Sequence, residues 1–313
     1  MQKLERIVCS LFRILQRFCG SEATLGIFET IYEREGSDKH TAVVDGYRIR
    51  YLTAGDPTNP ALVLVHGWLM HAGFWRETMA ALEDRYYCIA VDLLGHGHSD
   101  KPHYANYSIS AHARRSLRLL DQLQIDRFTV IGHSMGGQIS LYLAAELARD
   151  RVEKVVSVAG VTTGKVSPYM WLVVGPGVLM GAVFPRMWAV SRYGMRYQWY
   201  RRIYCDRPLY ATGTLSRYDD ANVQMSLVPG IERPALYCGL ALMRFNVSRY
   251  LHQIIVPTLV IFGADDNTVP VTNGQVVMQR VANCKLIIYE RCGHMPMIEA
   301  RDRFYADLCD FLD

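Results

Sequence analysis

Gly132-His133-Ser134-Met135-Gly136 is a G-x-S-x-G pattern placed between the apolar run Phe128 to Ile131 and an Ala/Leu-rich helical stretch. A serine on a sharp strand-to-helix turn presents its hydroxyl to the site, and the turn needs small neighbours, which the two glycines supply. The helix start also offers the backbone N–H of Met135 to an oxyanion formed when Ser134 attacks a carbonyl. A serine nucleophile needs a base and a group that orients the base. His294, in Cys292-Gly293-His294-Met295-Pro296, follows the strand-like run Leu286 to Tyr289. About thirty residues upstream, Gly263-Ala264-Asp265-Asp266-Asn267-Thr268-Val269-Pro270 follows another strand and supplies two candidate acids, Asp265 and Asp266. Loops at the carboxyl ends of strands are where the sites of open α/β sheets collect. The chemistry implied is nucleophilic acyl transfer.

Elements that could position these residues alternate from about residue 40. Strand candidates are Tyr47 to Thr53, Ala61 to Val65, Tyr86 to Val91, Phe128 to Ile131, Val155 to Val158, Thr258 to Phe262 and Leu286 to Tyr289. Most are short apolar runs, as strands covered on both faces must be. Helical stretches fall at roughly 74–84, 109–124, 136–149, 273–282 and 299–312, which predicts a mostly parallel sheet flanked by helices. Between about 162 and 252 the alternation stops. There Arg186, Arg192, Arg196, Arg201, Arg202 and Arg207 interleave with Trp188, Tyr193, Tyr197, Trp199, Tyr200 and Tyr204. The segment reads as an inserted helical cap over 162–252, dividing a core domain of 39–161 and 253–313. Its first part, Met170 to Phe184, is apolar but cut by Gly175-Pro176-Gly177, which argues against a membrane span.

The chain resembles the α/β-hydrolase superfamily from about residue 40 to its end. The likeness rests on His66-Gly67-Trp68 after a strand, on Asp92-Leu93-Leu94-Gly95-His96-Gly97-His98-Ser99, on the serine elbow and on the late Asp and His loops. The resemblance implies the order Ser134, Asp266, His294 for the catalytic triad, and selects Asp266 over Asp265. It implies the backbone N–H of Trp68 as the second oxyanion donor, beside Met135. A serine nucleophile separates the chain from the haloalkane-dehalogenase and epoxide-hydrolase branches, which attack with aspartate. The loop His66 to Trp75 is more similar to monoacylglycerol-lipase-like hydrolases than to carbon–carbon bond hydrolases. The function expected is hydrolysis of carboxylic esters of a hydrophobic acyl group. Carbon–carbon bond hydrolysis and acyl transfer to another acceptor use the same triad and stay open, as does a non-catalytic ligand-binding or scaffold role.

The 313 residues are 50% hydrophobic and 20% charged, enough for one large α/β domain with an insertion. A net charge of +4 without a basic run gives no case for nucleic acid. Cys9, Cys19, Cys88, Cys205, Cys238, Cys284, Cys292 and Cys309 show no CxxC spacing and read as reduced thiols in a cytoplasmic compartment. No metal or cofactor is expected: His96, His98, His103 and His71 read as loop histidines, and Asp92 as a hydrogen-bonding turn residue. Residues 1–38 form an N-terminal extension. Within it Leu4, Ile7, Val8, Leu11, Leu15 and Phe18 make an apolar helical stripe, with Lys3, Arg6, Arg13 and Arg17 largely off it. Such a helix suits an anionic membrane surface on the inner face, together with the cap arginines, or docks on its own domain or a dimer partner.

Overall fold

Leu62, Val63, Leu64 and Val65 have no accessible surface, because the strand that carries them is covered on both faces. The computed structural model describes residues 38–168, 170, 172, 175–183 and 230–313. The helix expected in the N-terminal extension and the arginines and aromatics of 186–207 expected in a cap lie outside the described residues.

Eight strands build one sheet: β1 (Asp38–Val44), β2 (Tyr47–Ala54), β3 (Ala61–Val65), β4 (Tyr87–Val91), β5 (Phe128–His133), β6 (Val152–Val158), β7 (Thr258–Gly263) and β8 (Cys284–Tyr289). Their order is β1-β2-β4-β3-β5-β6-β7-β8. β1 and β2 pair antiparallel, as do β2 and β4, and every later pairing is parallel. The chain is therefore an α/β protein with a mostly parallel sheet. The helices described around it are α1 (Arg76–Leu82), α2 (Ile109–Gln122), α3 (Met135–Tyr142), α4 (Gly175–Val183), α5 (Glu232–Arg244), α6 (Thr272–Arg280) and α7 (Arg301–Leu312).

Period-two alternation splits the core into two layers. Val63 and Val65 of β3 and Val260 and Phe262 of β7 pack in one layer, with α2, α3 and α6 residues. Leu62, Leu64, Leu259 and Ile261 face the other, with Met79 of α1 and Phe304 and Leu308 of α7. Serine, acid and base loops all leave the carboxyl ends of β5, β7 and β8, so the parallel register brings them to one edge of the sheet.

Seven strand candidates match β2 to β8 within a few residues. β1 carries no such signal because it pairs on one side only and reads Asp-Lys-His-Thr-Ala-Val-Val. What fixes it is the Asp45-Gly46 hairpin turn, with φ of 55° and 80°, between the paired Val44 and Tyr47. Among the described residues no helix is long and apolar enough to cross a membrane.

Candidate active site

Ser134 is the single residue between the end of β5 and the start of α3, and it holds φ 54° and ψ −113°. A non-glycine residue in that conformation costs on the order of 1–3 kcal/mol and persists only where its surroundings over-determine it. Two backbone bonds do so: Ser134 N–H donates to Val158 O at 2.9 Å, and Val161 N–H donates to Ser134 O at 3.2 Å. The flanking glycines are forced by contact. A Cβ on Gly132 would stand 2.1 Å from Gly136 O, and one on Gly136 would stand 2.1 Å from Val65 O. Met135 opens α3, so its N–H is one of the first-turn donors that have no acceptor within the helix.

His294 Nδ1 lies 2.8 Å from Asp266 Oδ2, and the side chains are 10% and 0% exposed. The other carboxylate oxygen, Oδ1, accepts from the N–H groups of Thr268 and Val269, each at 2.8 Å. A carboxylate can only accept, so a proton sits on Nδ1, and in the neutral ring this leaves the lone pair on Nε2, the tautomer a general base needs. Asp265 is exposed, and its backbone N–H instead ties to Cys292 O at 2.9 Å. Of the two candidate acids, the structure pairs Asp266 with the histidine.

Two residues that hold this loop carry no signal of that role in the sequence. Glu299 closes a short helical turn, Pro296–Glu299. Its carboxylate accepts from Gly293 N–H at 2.7 Å and from Met295 N–H at 2.9 Å, clamping the backbone on either side of His294. His133, Ser134's neighbour, reaches the His294 carbonyl with Nε2 at 2.9 Å. A Glu five residues past a histidine has no pattern of its own. His133 is visible only as the variable position of the serine motif.

On the other side of Ser134 runs the loop after β3. Met70 N–H closes a turn onto Gly67 O at 3.2 Å, and Leu69 within it has φ 60°. His66 fastens the loop: Nδ1–H donates to Gly67 O at 2.7 Å, and Nε2 accepts from Leu93 N–H at 3.1 Å. Burial holds the His66 imidazole down to about 4, so it stays neutral and bridges the two loops. Asp92 likewise binds backbone, taking Ala72 N–H at 2.6 Å and His98 N–H at 2.8 Å, while burial pushes its carboxyl up. Trp68 projects its indole towards α5, where Nε1–H donates to Ala235 O at 2.8 Å. Among the described residues no cluster of three or more His, Cys, Asp or Glu side chains is arranged to hold a metal.

Trp68 also walls an apolar cavity of about 400 Å³, with Met170, Val178, Leu236, Leu240 and Met243 around it. One of its lining residues, Leu179, is 53% exposed.

A family model described as the α/β hydrolase fold matches residues 60–182. An uncharacterized protein of Mycobacterium tuberculosis is 29% identical over 285 residues, covering 86% of this chain and 80% of its own. A pimeloyl-[acyl-carrier protein] methyl ester esterase of Vibrio atlanticus is 27% identical over 263 residues, covering 80% of this chain and 94% of its own. Among solved structures, an esterase from a Rhodococcus species superposes with a TM-score of 0.70 at 27% identity, covering 88% of this chain and 98% of its own. With the strand order β1-β2-β4-β3-β5-β6-β7-β8 and a serine elbow between β5 and α3, these likenesses show that the chain has the α/β-hydrolase fold.

Proposed function

We propose that the protein is a serine hydrolase of carboxylic esters with a hydrophobic acyl group, and that Ser134, His294 and Asp266 are its catalytic triad. The observation that carries this reading is the pairing of His294 Nδ1 with the fully buried Asp266 carboxylate on a loop beside a serine at φ 54°. Ser134 Oγ attacks the ester carbonyl while His294 Nε2 takes its proton. The same imidazolium, stabilised by Asp266, returns that proton to the departing alcohol. Water then attacks the acyl-enzyme, giving one proton to His294 and its oxygen to the acid product, and Ser134 is regenerated. The N–H groups of Trp68 and Met135 hold the oxyanion in both halves.

The apolar cavity beside Trp68 supports a hydrophobic acyl chain. The exposed Leu179 on its lining, with Leu172 and Val183 exposed in the same stretch of chain, favours delivery from a lipid surface. The test is an ester panel from acetyl to long-chain acyl, including a monoacylglycerol, with and without anionic vesicles. Turnover should rise with chain length and with vesicles, and vanish in Ser134→Ala. Turnover of short esters alone would remove the lipid surface from the reading. No ester turnover would turn the search to carbon–carbon substrates.

A further inference from the structure

Trp68 serves two parts of the proposed site at once. Its backbone N–H is an oxyanion donor in the ester-hydrolase reading, on which the role assigned below to α5 rests, and its indole walls the apolar cavity. The turn that carries that N–H is strained: Leu69, next in the chain, holds φ 60°, where a turn normally takes glycine, so the bonds within the loop need contacts from outside it.

α5 touches Trp68 from outside the loop, together with Val178 of α4 and Ile231. Indole Nε1–H donates to Ala235 O at 2.8 Å, using the lone pair that the helix's own bond leaves over. One turn further, on the same face, stands Gly239. A Cβ there would lie 2.9 Å from Trp68 Cζ2 and 3.3 Å from Cε2. Glycine in a helix interior is a poor helix former, and here its missing side chain makes the notch that the indole occupies.

We infer that α5 positions the oxyanion donor: the Ala235 carbonyl and the Gly239 notch grip the Trp68 indole, and that grip fixes the 67–70 turn with its N–H towards the reacting carbonyl. Ala235 and Gly239 are positioning residues for this donor, which they reach through Trp68, although Gly239 also lines the apolar cavity. A small displacement of α5 therefore reaches the reacting atoms through one ring, and it alters the chemical step more than ester binding.

The test is a double-mutant cycle in the full chain with p-nitrophenyl acetate, whose acyl group is too short to fill the cavity these residues line, using Gly239→Ala, Trp68→Phe and both together. Loss of one whole oxyanion donor costs about 10²–10³ in kcat, so a displaced one in Gly239→Ala should lower kcat by about tenfold or more while KM stays within about threefold. Trp68→Phe, which loses the Nε1–H, should show the same split. In the Trp68→Phe background the smaller ring no longer reaches Gly239, so adding alanine should cost less than about threefold. Unchanged kcat in Gly239→Ala, a rise in KM alone, or additive losses in the double variant would overturn the inference. Alanine favours the helix, so a folded variant is expected. Should it fail to fold, Trp68→Phe decides, and an unchanged kcat there also overturns the inference. Ester turnover that survives Ser134→Ala would instead overturn the underlying function, a result read before any α5 variant is made.

Discussion

His133 Nε2 donates to the backbone carbonyl of His294 at 2.9 Å, with the two rings 4.7 Å apart. The acceptor is a carbonyl, so Nε2 carries a proton, and burial keeps the ring from taking a second. Burial, reinforced by His294, holds its pKa well below that of a free histidine. The residue preceding the proposed nucleophile thus fixes the backbone of the proposed base, and a neutral ring adds no charge beside an imidazolium. His133→Phe should leave the His294 carbonyl buried without its donor, which costs about 1–3 kcal/mol. The steady-state expectation is a kcat lower by about tenfold or more with little change in KM. A wild-type kcat in His133→Phe would show that the contact is dispensable.

The pairing of Asp266 with His294 separates the two adjacent acids. Asp266→Asn can turn its amide towards Nδ1 and impose the wrong tautomer. Its kcat should fall by about 10³–10⁴, the scale of this effect in serine triads. Asp265→Asn, at an exposed side chain, should keep the wild-type rate. Equal losses in both variants would contradict the assignment.

Glu299 clamps Gly293 and Met295 with one oxygen each. Glu299→Ala frees both backbone N–H groups, and charge-assisted bonds of this kind contribute about 1.5–3 kcal/mol apiece. Denaturant unfolding should therefore show a loss of several kcal/mol at most, with kcat reduced through the loosened loop. Glu299→Gln, which keeps one acceptor oxygen, should fall between. An unchanged unfolding midpoint in Glu299→Ala would remove the clamp.

The buried histidines set a pH dependence of stability. Burial depresses His66 to about 4 and His112 to about 3, and lowers His96 and His133 well below the ordinary value near 6.5. Between those limits the unfolded chain binds protons that the folded chain refuses. The stability these neutral rings provide is whole above pH 6.5 and is lost as pH falls towards 4. Asp92, raised by burial, works in the opposite sense, but it is one carboxyl against six histidines, since burial lowers His71 and His98 as well. Melting temperature should drop steadily from pH 7 to pH 5, as stability falls by up to about 1.4 kcal/mol per pH unit for each histidine titrating only in the unfolded state. A flat profile would mean these rings charge in the folded protein.

Legibility in the sequence follows the range of the interaction. β3 and β7 show as apolar runs because burial on both faces demands it, and the serine elbow shows because steric contact at Gly132 and Gly136 leaves no other residue type. Asp266 and Asp265 can be told apart in the sequence only by family resemblance, because both follow the same strand and only the direction of the turn decides which one meets His294. β1, the contacts of His133 and Glu299, and the Gly239 notch are not legible there. Each depends on a partner brought close by the sheet, such as Trp68 at 171 positions' remove from Gly239, and no local periodicity records such a pairing.

The most direct measurement is mass spectrometry of the protein quenched during turnover of a long-chain p-nitrophenyl ester. The account predicts one acyl increment, located on the peptide that contains Ser134 and absent in Ser134→Ala. An acyl group found on another residue, or ester turnover that persists in Ser134→Ala, would contradict it.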